Sequence, residues 1–148
     1  MRLTKYSRIL LKYAVLAATG GFVYYGIENI WRGVGNSHPY MIIVGGACFV
    51  LLGAVNHYLP WEMCFTSQMM IAGLTITAVE LASGLLLNVY LGLDLWNYSD
   101  VKYNFMGQIC LSYAYLWQWL SAAGILLYDY AEWLLFRAEE DKPRYYIF

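Results

Sequence analysis

The sequence predicts an all-α integral membrane protein, with four transmembrane helices in one bundle and both termini in the cytoplasm. Of the 148 residues, 61% are hydrophobic and 13% are charged, whereas a soluble domain is about 45–50% apolar and about 25% charged. A water-soluble domain of this length has too little interior to bury so much apolar surface. The composition therefore excludes a soluble enzyme, a disordered chain and a disulfide-stapled secreted domain.

Four apolar stretches reach the length of about 20 residues that a spanning helix needs. Glycine, proline and polar residues separate them, as is typical of turns. Within a single membrane domain of residues 1–148, the predicted spans are residues 9–31, 39–57, 68–90 and 106–128. The first span could instead be a signal peptide, but its apolar character continues past the small residues that resemble a cleavage site.

The distribution of basic residues predicts the orientation. Of the nine Lys and Arg residues, only Arg32 and Lys102 lie in the loops, and the others lie in the tail or in the first segment when it is counted through Lys12. Because cytoplasmic segments are enriched in Lys and Arg, both termini are predicted to be cytoplasmic. Residues 129–137 should extend the last helix along the inner interface, and residues 138–148 should lie against the headgroups. Four tryptophans should form the interfacial belts, Trp31 and Trp96 outside and Trp61 and Trp133 inside.

Polar residues in the third span share one helix face, which is predicted to point into the bundle: Gly73, Thr77, Glu80, Gly84 and Asn88. The two glycines should lie at helix–helix contacts, and Thr77 and Asn88 should bond across helices. Glu80 is near the bilayer midplane, so we expect it to be protonated or bonded to a donor on a neighbouring helix. It is either a structural staple or a group that binds a proton, an ion or a substrate.

The other spans carry similar faces. In the first span the face consists of Ala14, Ala17, Gly21, Tyr25, Glu28 and Arg32. Glu28 and Arg32 form either an interfacial ion pair or a pair that contacts a ligand. The second span offers Gly45, Gly46, Gly53, Asn56 and His57, and the fourth offers Gln108, Ser112, Tyr115, Trp119 and Ala122. The deep tryptophans of the fourth span, Trp117 and Trp119, are expected to pack against small residues, and the alternative is that they stack on a ligand.

The third loop, residues 94–104, is dense in polar and aromatic groups. Interfacial anchoring explains its aromatic residues, and the alternative is that the loop folds over the outer mouth of the bundle together with residues 32–39. The three cysteines are too few for a disulfide framework and are expected to be free thiols. No set of His and Cys residues has the spacing of metal ligands. We therefore expect no metal, no cofactor and no catalytic residue.

The order Trp96-Asn-Tyr-Ser99, Asn104, Gly107-Gln-Ile-Cys110 and Trp117, preceded by Glu28, Trp31-Arg-Gly33 and Glu80, resembles the putative type IV ABC-transporter family. These are small bacterial integral membrane proteins that are labelled permeases. The resemblance covers about residues 24–136 and implies a multi-pass protein of the bacterial cytoplasmic membrane. This chain has Asn97 where the family more usually carries Asp. No Gly-x4-Gly-Lys-Ser/Thr loop is present, so the resemblance implies an ATPase made as a separate protein.

The leading hypothesis is a transport-related, permease-like membrane subunit without its own ATPase. Its partners would be the lipid bilayer and a second copy or another membrane or ATPase subunit, with no nucleic acid. The alternative is a non-transporting interaction or assembly protein, such as a scaffold, a regulator or a holin-like protein, and a membrane-embedded enzyme is a third. Ten residues are candidates for binding a ligand or proton: Glu80, Glu28, Arg32, Thr77, Asn88, Trp96, Asn97, Tyr98, Asn104 and Gln108.

Overall fold

The computed structural model describes residues 4–60, 63–136 and 145. Within these residues the fold is all-helical, with helices α1 (Lys5–Arg32), α2 (Tyr40–Tyr58), α3 (Phe65–Gly84) and α4 (Leu111–Phe136). A π-helical segment, Leu85–Tyr90, continues α3. The short strands β1 (Asn104–Phe105) and β2 (Ile109–Cys110) form an antiparallel hairpin just before α4. The prediction of an all-α fold is confirmed for the described residues.

The boundaries of α1 follow from local chemistry. The Thr4 hydroxyl caps the first turn by accepting a hydrogen bond of 3.2 Å from the Ser7 amide. Because this turn is capped, the helix begins four residues before the predicted span. The last helical residue is Arg32, and the next residue, Gly33, has a φ of +91°, a value that only glycine adopts without strain.

The predicted start of the fourth helix at residue 106 is wrong. Met106 and Gly107 have positive φ values of 54° and 68° and form the turn of the hairpin, so α4 begins at Leu111. Gln108 consequently lies in the hairpin and not on a helix face. Tyr115 and Trp119, predicted to face the interior, are 64% and 59% exposed.

The buried face of α4 instead consists of Ser121, Ile125 and Tyr128. The sequence could not identify this face because apolar and aromatic residues surround the whole helix. A helix that is apolar all round gives no amphipathic signal.

The helices α1 and α2 pack with their backbones in contact. A Cβ atom on Gly21 would lie 2.3 Å from the carbonyl oxygen of Ile42, and one on Gly46 would lie 2.6 Å from that of Ala17. Only glycine allows such an approach. The second close pair is α3 and α4, where Gly73 faces the side chain of Gln118. The central helix is α2, which contacts the other three, while α1 and α4 meet only sparsely.

The predicted polar faces are partly correct. Gly73, Glu80 and Gly84 are buried, with Thr77 and Asn88 half-buried, so this face of α3 does point inwards. The expected bonds across helices are wrong, however. The Thr77 hydroxyl donates to the Gly73 carbonyl of its own helix at 2.9 Å, as hydroxyls within helices often do, and Asn88 bonds to the third loop. Gly84 packs against that loop and the hairpin and not against a helix.

The faces predicted on α1 and α2 show a similar mixture. Gly21 and Glu28 of α1 are buried, but Ala14 is exposed. On α2 the three glycines are buried and His57 is exposed, and the side chain of Asn56 lies outside the described part of the structure.

Within the described part of the chain, two helical stretches are long and apolar enough to cross a membrane, Lys5–Arg32 and Phe65–Tyr90, and a third apolar stretch, Tyr40–Ala54, is shorter. Only 17% and 28% of the most apolar windows of the two long stretches are buried. A core helix of a soluble protein would be mostly buried, so these helices present their apolar side chains outwards. This arrangement indicates association with a membrane.

Not all the predicted interfacial positions are correct. Trp96 is only 5% exposed and lies inside the protein, where its indole bonds to the hairpin before α4. Trp31 and Trp133 are exposed, as expected, and Trp61 lies outside the described residues. The prediction for residues 138–148 also falls outside them, except for Tyr145, whose hydroxyl donates to Asp129 at 2.5 Å.

Candidate functional site

A cavity of about 170 Å³ lies between the four helices and the third loop. A single water needs roughly 10–15 Å³ of such space, so the cavity can hold a small organic group. Most of its wall is apolar, formed by residues such as Met41, Val44, Leu52, Ile76, Leu120 and Leu127. The polar groups gather at the end beneath the loop, where Glu28, Arg32, Glu80 and Tyr98 line it.

Glu80 is held at this polar end by two neutral donors. The Tyr98 hydroxyl lies 2.9 Å from Oε1, and the indole Nε1 of Trp117 donates to Oε2 at 2.8 Å. The Glu80 side chain is buried, with the residue 8% exposed. The expectation that Glu80 bonds to a donor on a neighbouring helix is confirmed, because Trp117 belongs to α4.

Glu28, the second carboxylate of the cavity, has a cationic partner. Its Oε1 lies 3.2 Å from Nε of Arg32, one turn later on α1, and its Oε2 accepts from the Ser37 hydroxyl. The predicted ion pair is confirmed, although Glu28 is only 7% exposed. Arg32 also donates from Nη1 to the Leu95 carbonyl at 3.1 Å. This bond ties the end of α1 to the third loop, so the loop does close over the bundle.

The third loop is anchored by the π-helical segment. Asn88 accepts from the Leu95 amide at 2.7 Å and donates to the Trp96 carbonyl at 3.0 Å and to Oε1 of Gln108 at 2.9 Å. The indole of Trp96 donates in turn to the Gln108 carbonyl at 3.0 Å. Asn88 and Gln108 therefore position the loop and do not line the cavity.

Asn97 and Asn104 shape the turns on either side of Tyr98. Oδ1 of Asn97 accepts from the amide of Ser99 at 2.9 Å, and Nδ2 of Asn104 donates to the Val101 carbonyl at 2.8 Å. An Asp at position 97 would accept the same bond, so this role needs an oxygen acceptor and not a charge. The Tyr98 amide donates to the Gly107 carbonyl at 2.8 Å, which fixes the loop to the hairpin.

The environment of Tyr98 keeps its phenol neutral. The ring stacks on Tyr113, with centroids 4.7 Å apart. Burial, followed by the proximity of the Glu80 carboxylate, raises the pKa of the Tyr98 hydroxyl above its ordinary value of 10.0. The hydroxyl therefore keeps its proton across the physiological range and can either donate to Glu80 or accept from it.

Of the ten candidate residues, five line the cavity: Glu80, Glu28, Arg32, Trp96 and Tyr98. The remaining five, Thr77, Asn88, Asn97, Asn104 and Gln108, lie outside its wall and make the structural bonds described above.

Tyr24 and Cys48 also line the cavity and were not among the candidate residues predicted from the sequence. Trp117, predicted to pack against small residues or to stack on a ligand, lines the cavity and donates to Glu80. Tyr24 was detectable, because it lies one helical turn before Glu28 on the same face. No group of three or more potential metal ligands occurs among the described residues.

The outward apolar surface and the buried carboxylates define a small helical protein of the membrane-associated class, with an internal ligand-sized cavity. The family model described as putative ABC-transporter type IV matches residues 14–141. The chain belongs to that family, which confirms the resemblance seen in the sequence. No curated protein and no solved structure matches the chain.

Proposed function

We propose that the protein is the membrane-embedded, permease-like subunit of a transport system and that the cavity is its substrate site. The observation that carries the proposal is Glu80, a buried carboxylate that faces the cavity and whose partners among the described residues are all neutral donors. A carboxylate used only as a staple needs no empty space beside it. Ionisable groups inside a membrane commonly mark substrate or proton pathways.

The proposal includes four spans, with both termini on the cytoplasmic side of a bacterial plasma membrane. The exposed apolar faces of α1 and α3 and the basic terminal segments support this arrangement. ATP hydrolysis is assigned to a separate protein, since the chain has no phosphate-binding loop. Four helices are few for a complete pathway, so a second copy or another membrane subunit would complete it.

The packing of the glycines favours this proposal over an interaction or assembly protein. Glycine-rich faces attract helices of other chains when they are exposed. Here Gly20 and Gly21 of α1 pack against α2, and Gly45 and Gly46 of α2 pack against α1. These glycines are therefore covered within the α1–α2 pair. The proposal includes no catalytic step, because the sequence offers no nucleophile paired with a base.

Purification from native membranes in mild detergent tests the proposal. We expect a protein with a Gly-x4-Gly-Lys-Ser/Thr loop to co-purify, and its ATP hydrolysis to depend on the cavity. The Glu80→Gln variant should keep the partner but change the rate of hydrolysis, whereas Asp100→Asn, at an exposed carboxylate outside the cavity wall, should change neither. A stable preparation without any ATPase, from cells that express the protein at its native level, would contradict the assignment.

A further inference from the structure

The charges at the polar end of the cavity do not cancel. Glu28 and Arg32 neutralise each other. Glu80 has no basic partner, since the ion pairs among the described residues are Glu28–Arg32 and Lys12–Glu132. An unpaired carboxylate in an apolar cavity needs either a proton or a cation to compensate its charge. The charge of ionised Glu80 would therefore be compensated by one positive charge bound next to it in the cavity.

Arg32 is not free to attract an anion instead. Its Nε faces Glu28, and its Nη1 is bound to the Leu95 carbonyl. An anionic ligand would have to break one of these bonds and also approach Glu80. The electrostatics of this end of the cavity thus reject anions and favour cations.

The walls next to Glu80 suit an organic cation better than a hydrated metal ion. Tyr24, Trp96, Tyr98 and Trp117 all line this part of the cavity. Aromatic faces attract ammonium-type cations, and the apolar remainder of the wall matches a hydrophobic substituent. Small metal ions require several oxygen ligands, whereas both oxygens of Glu80 already accept bonds from neutral donors.

The mouth of the cavity faces the side of the bundle. Val23 and Ile27 of α1 and Leu127 of α4 line the cavity and are also exposed, so they mark its rim. The helices α1 and α4 are joined below this rim by the Lys12–Glu132 ion pair, and contact between them is otherwise sparse. In a bilayer this apolar opening would face lipid, which favours a ligand that partitions into the membrane.

We propose that the cavity binds a lipophilic organic monocation, which enters from the bilayer between α1 and α4 and displaces a proton from Glu80. The inference rests on the proposed function, because it names the substrate class of the same site. The exchange is balanced: the neutral carboxylic acid and the cation give the carboxylate–cation pair and one released proton.

Tyr98 allows Glu80 to change its protonation state without losing a hydrogen bond. The hydroxyl donates to Oε1 of the carboxylate, and it can rotate to accept from the carboxylic acid. The indole of Trp117 donates to Oε2 in both states. The titratable and charged groups that face Glu80 from the elements around it are Tyr24, Glu28 and Arg32 of α1, Cys48 of α2, and Tyr98 of the third loop, with Tyr113 of α4 behind Tyr98.

Binding to the full-length protein in phosphatidylcholine nanodiscs tests the inference. The probes are benzyltrimethylammonium and benzyltriethylammonium, whose single ring suits a cavity of about 170 Å³, with benzenesulfonate as an anion of similar size. We expect saturable calorimetric binding of at least one cation and none of benzenesulfonate. Affinity should rise by about tenfold per pH unit while Glu80 is protonated, with one proton released per cation, because proton and cation compete for one group.

Two variants separate this role from a structural one. Glu80→Gln should bind the cation at least tenfold more weakly and lose the pH dependence. Asp100→Asn, which removes an exposed carboxylate outside the cavity wall, should retain the affinity and the pH dependence. If Glu80→Gln fails to fold, Glu80→Asp and proton release by the unmodified protein provide the same test. Absence of saturable cation binding, or binding without proton release, overturns the inference. These measurements need no ATPase, so their outcome is independent of whether a transport partner is found.

Discussion

The hydroxyl of Tyr98 lies 2.9 Å from Oε1 of Glu80, although the two residues are 18 positions apart in the chain. Glu80 is ten residues before the end of the π-helical segment, which corresponds to about 15 Å of helix. The third loop must therefore descend into the bundle for the two side chains to meet. This contact makes the loop part of the cavity wall and not only a connector.

The strength of this contact is measurable. Tyr98→Phe and Trp117→Phe each remove one donor to Glu80, but only Tyr98→Phe keeps the ring. We expect Tyr98→Phe to lower the free energy of unfolding by about 1.5–3 kcal/mol if Glu80 is ionised, and by about 0.5–1.5 kcal/mol if it is neutral. Trp117→Phe should lower it by more, because the phenyl ring also leaves part of the indole's space unfilled. Reversible unfolding in detergent would measure the loss. The double variants with Glu80→Gln should lose less than the sum of the single losses, and strict additivity would show that the bonds do not couple.

Two glycines of α1 should respond oppositely to the same substitution. Gly21→Ala places a Cβ atom 2.3 Å from the Ile42 carbonyl oxygen, so α1 and α2 must separate. A Cβ atom on Gly26 would meet no atom of the described residues within 4 Å beyond the backbone of its own helix. Ala there should be neutral or add up to about 1 kcal/mol through helix propensity. Thermal unfolding of the two variants gives the comparison. A Gly21→Ala protein as stable as the Gly26→Ala protein would show that the close α1–α2 contact is absent.

The glycine of the hairpin turn should hold Tyr98 in place. Gly107→Ala puts a Cβ at a φ of +68° and 2.6 Å from Oγ of Ser99. Gly92→Ala meets a similar φ of +66° in open space, so it reports the backbone strain alone. Both substitutions should lower the free energy of unfolding by about 1 kcal/mol, because a residue with a Cβ is strained at a positive φ. Gly107→Ala should lose more and should also weaken cation binding, because the Tyr98 amide is bonded to the Gly107 carbonyl. Equal losses of stability in the two variants would mean that the hairpin turn shifts to accommodate the Cβ, and would contradict this prediction.

Cys64 provides a native probe of orientation, since it lies between α2 and α3. Hydrogen bonds from the Thr66 hydroxyl and amide lower the pKa of its thiol below the ordinary value of 9.0. Because the thiolate is the reacting form, alkylation should remain fast at a lower pH than for an ordinary thiol. A membrane-impermeant maleimide should modify Cys64 in inside-out vesicles and spare it in intact cells.

The controls for this experiment use the same reagent. Cys64→Ala should abolish the labelling, because Cys110 is buried and Cys48 lies in the middle of α2, where it lines the apolar cavity. Asp100→Cys in that background should react from outside in intact cells. Labelling of Cys64 in intact cells, with Asp100→Cys protected, would reverse the proposed topology.

The sequence by itself determined the all-helical fold, the inward face of α3 and the pairing of Glu28 with Arg32. These features depend on composition, helical period and separations of three or four residues, which are local and readable without a fold. It also indicated that Glu80 needs a partner, because burial of a carboxylate is costly wherever it occurs.

Only the tertiary structure decided which residues surround Glu80. Trp117 and Trp119 lie on the same apolar helix, and no local rule distinguishes the one that bonds to Glu80 from the one that is 59% exposed. The hairpin before α4 and the descent of Trp96 into the interior likewise depend on contacts between distant segments. In a helix that is apolar on every side, the hydrophobic pattern cannot select the inner face, so packing between helices selects it.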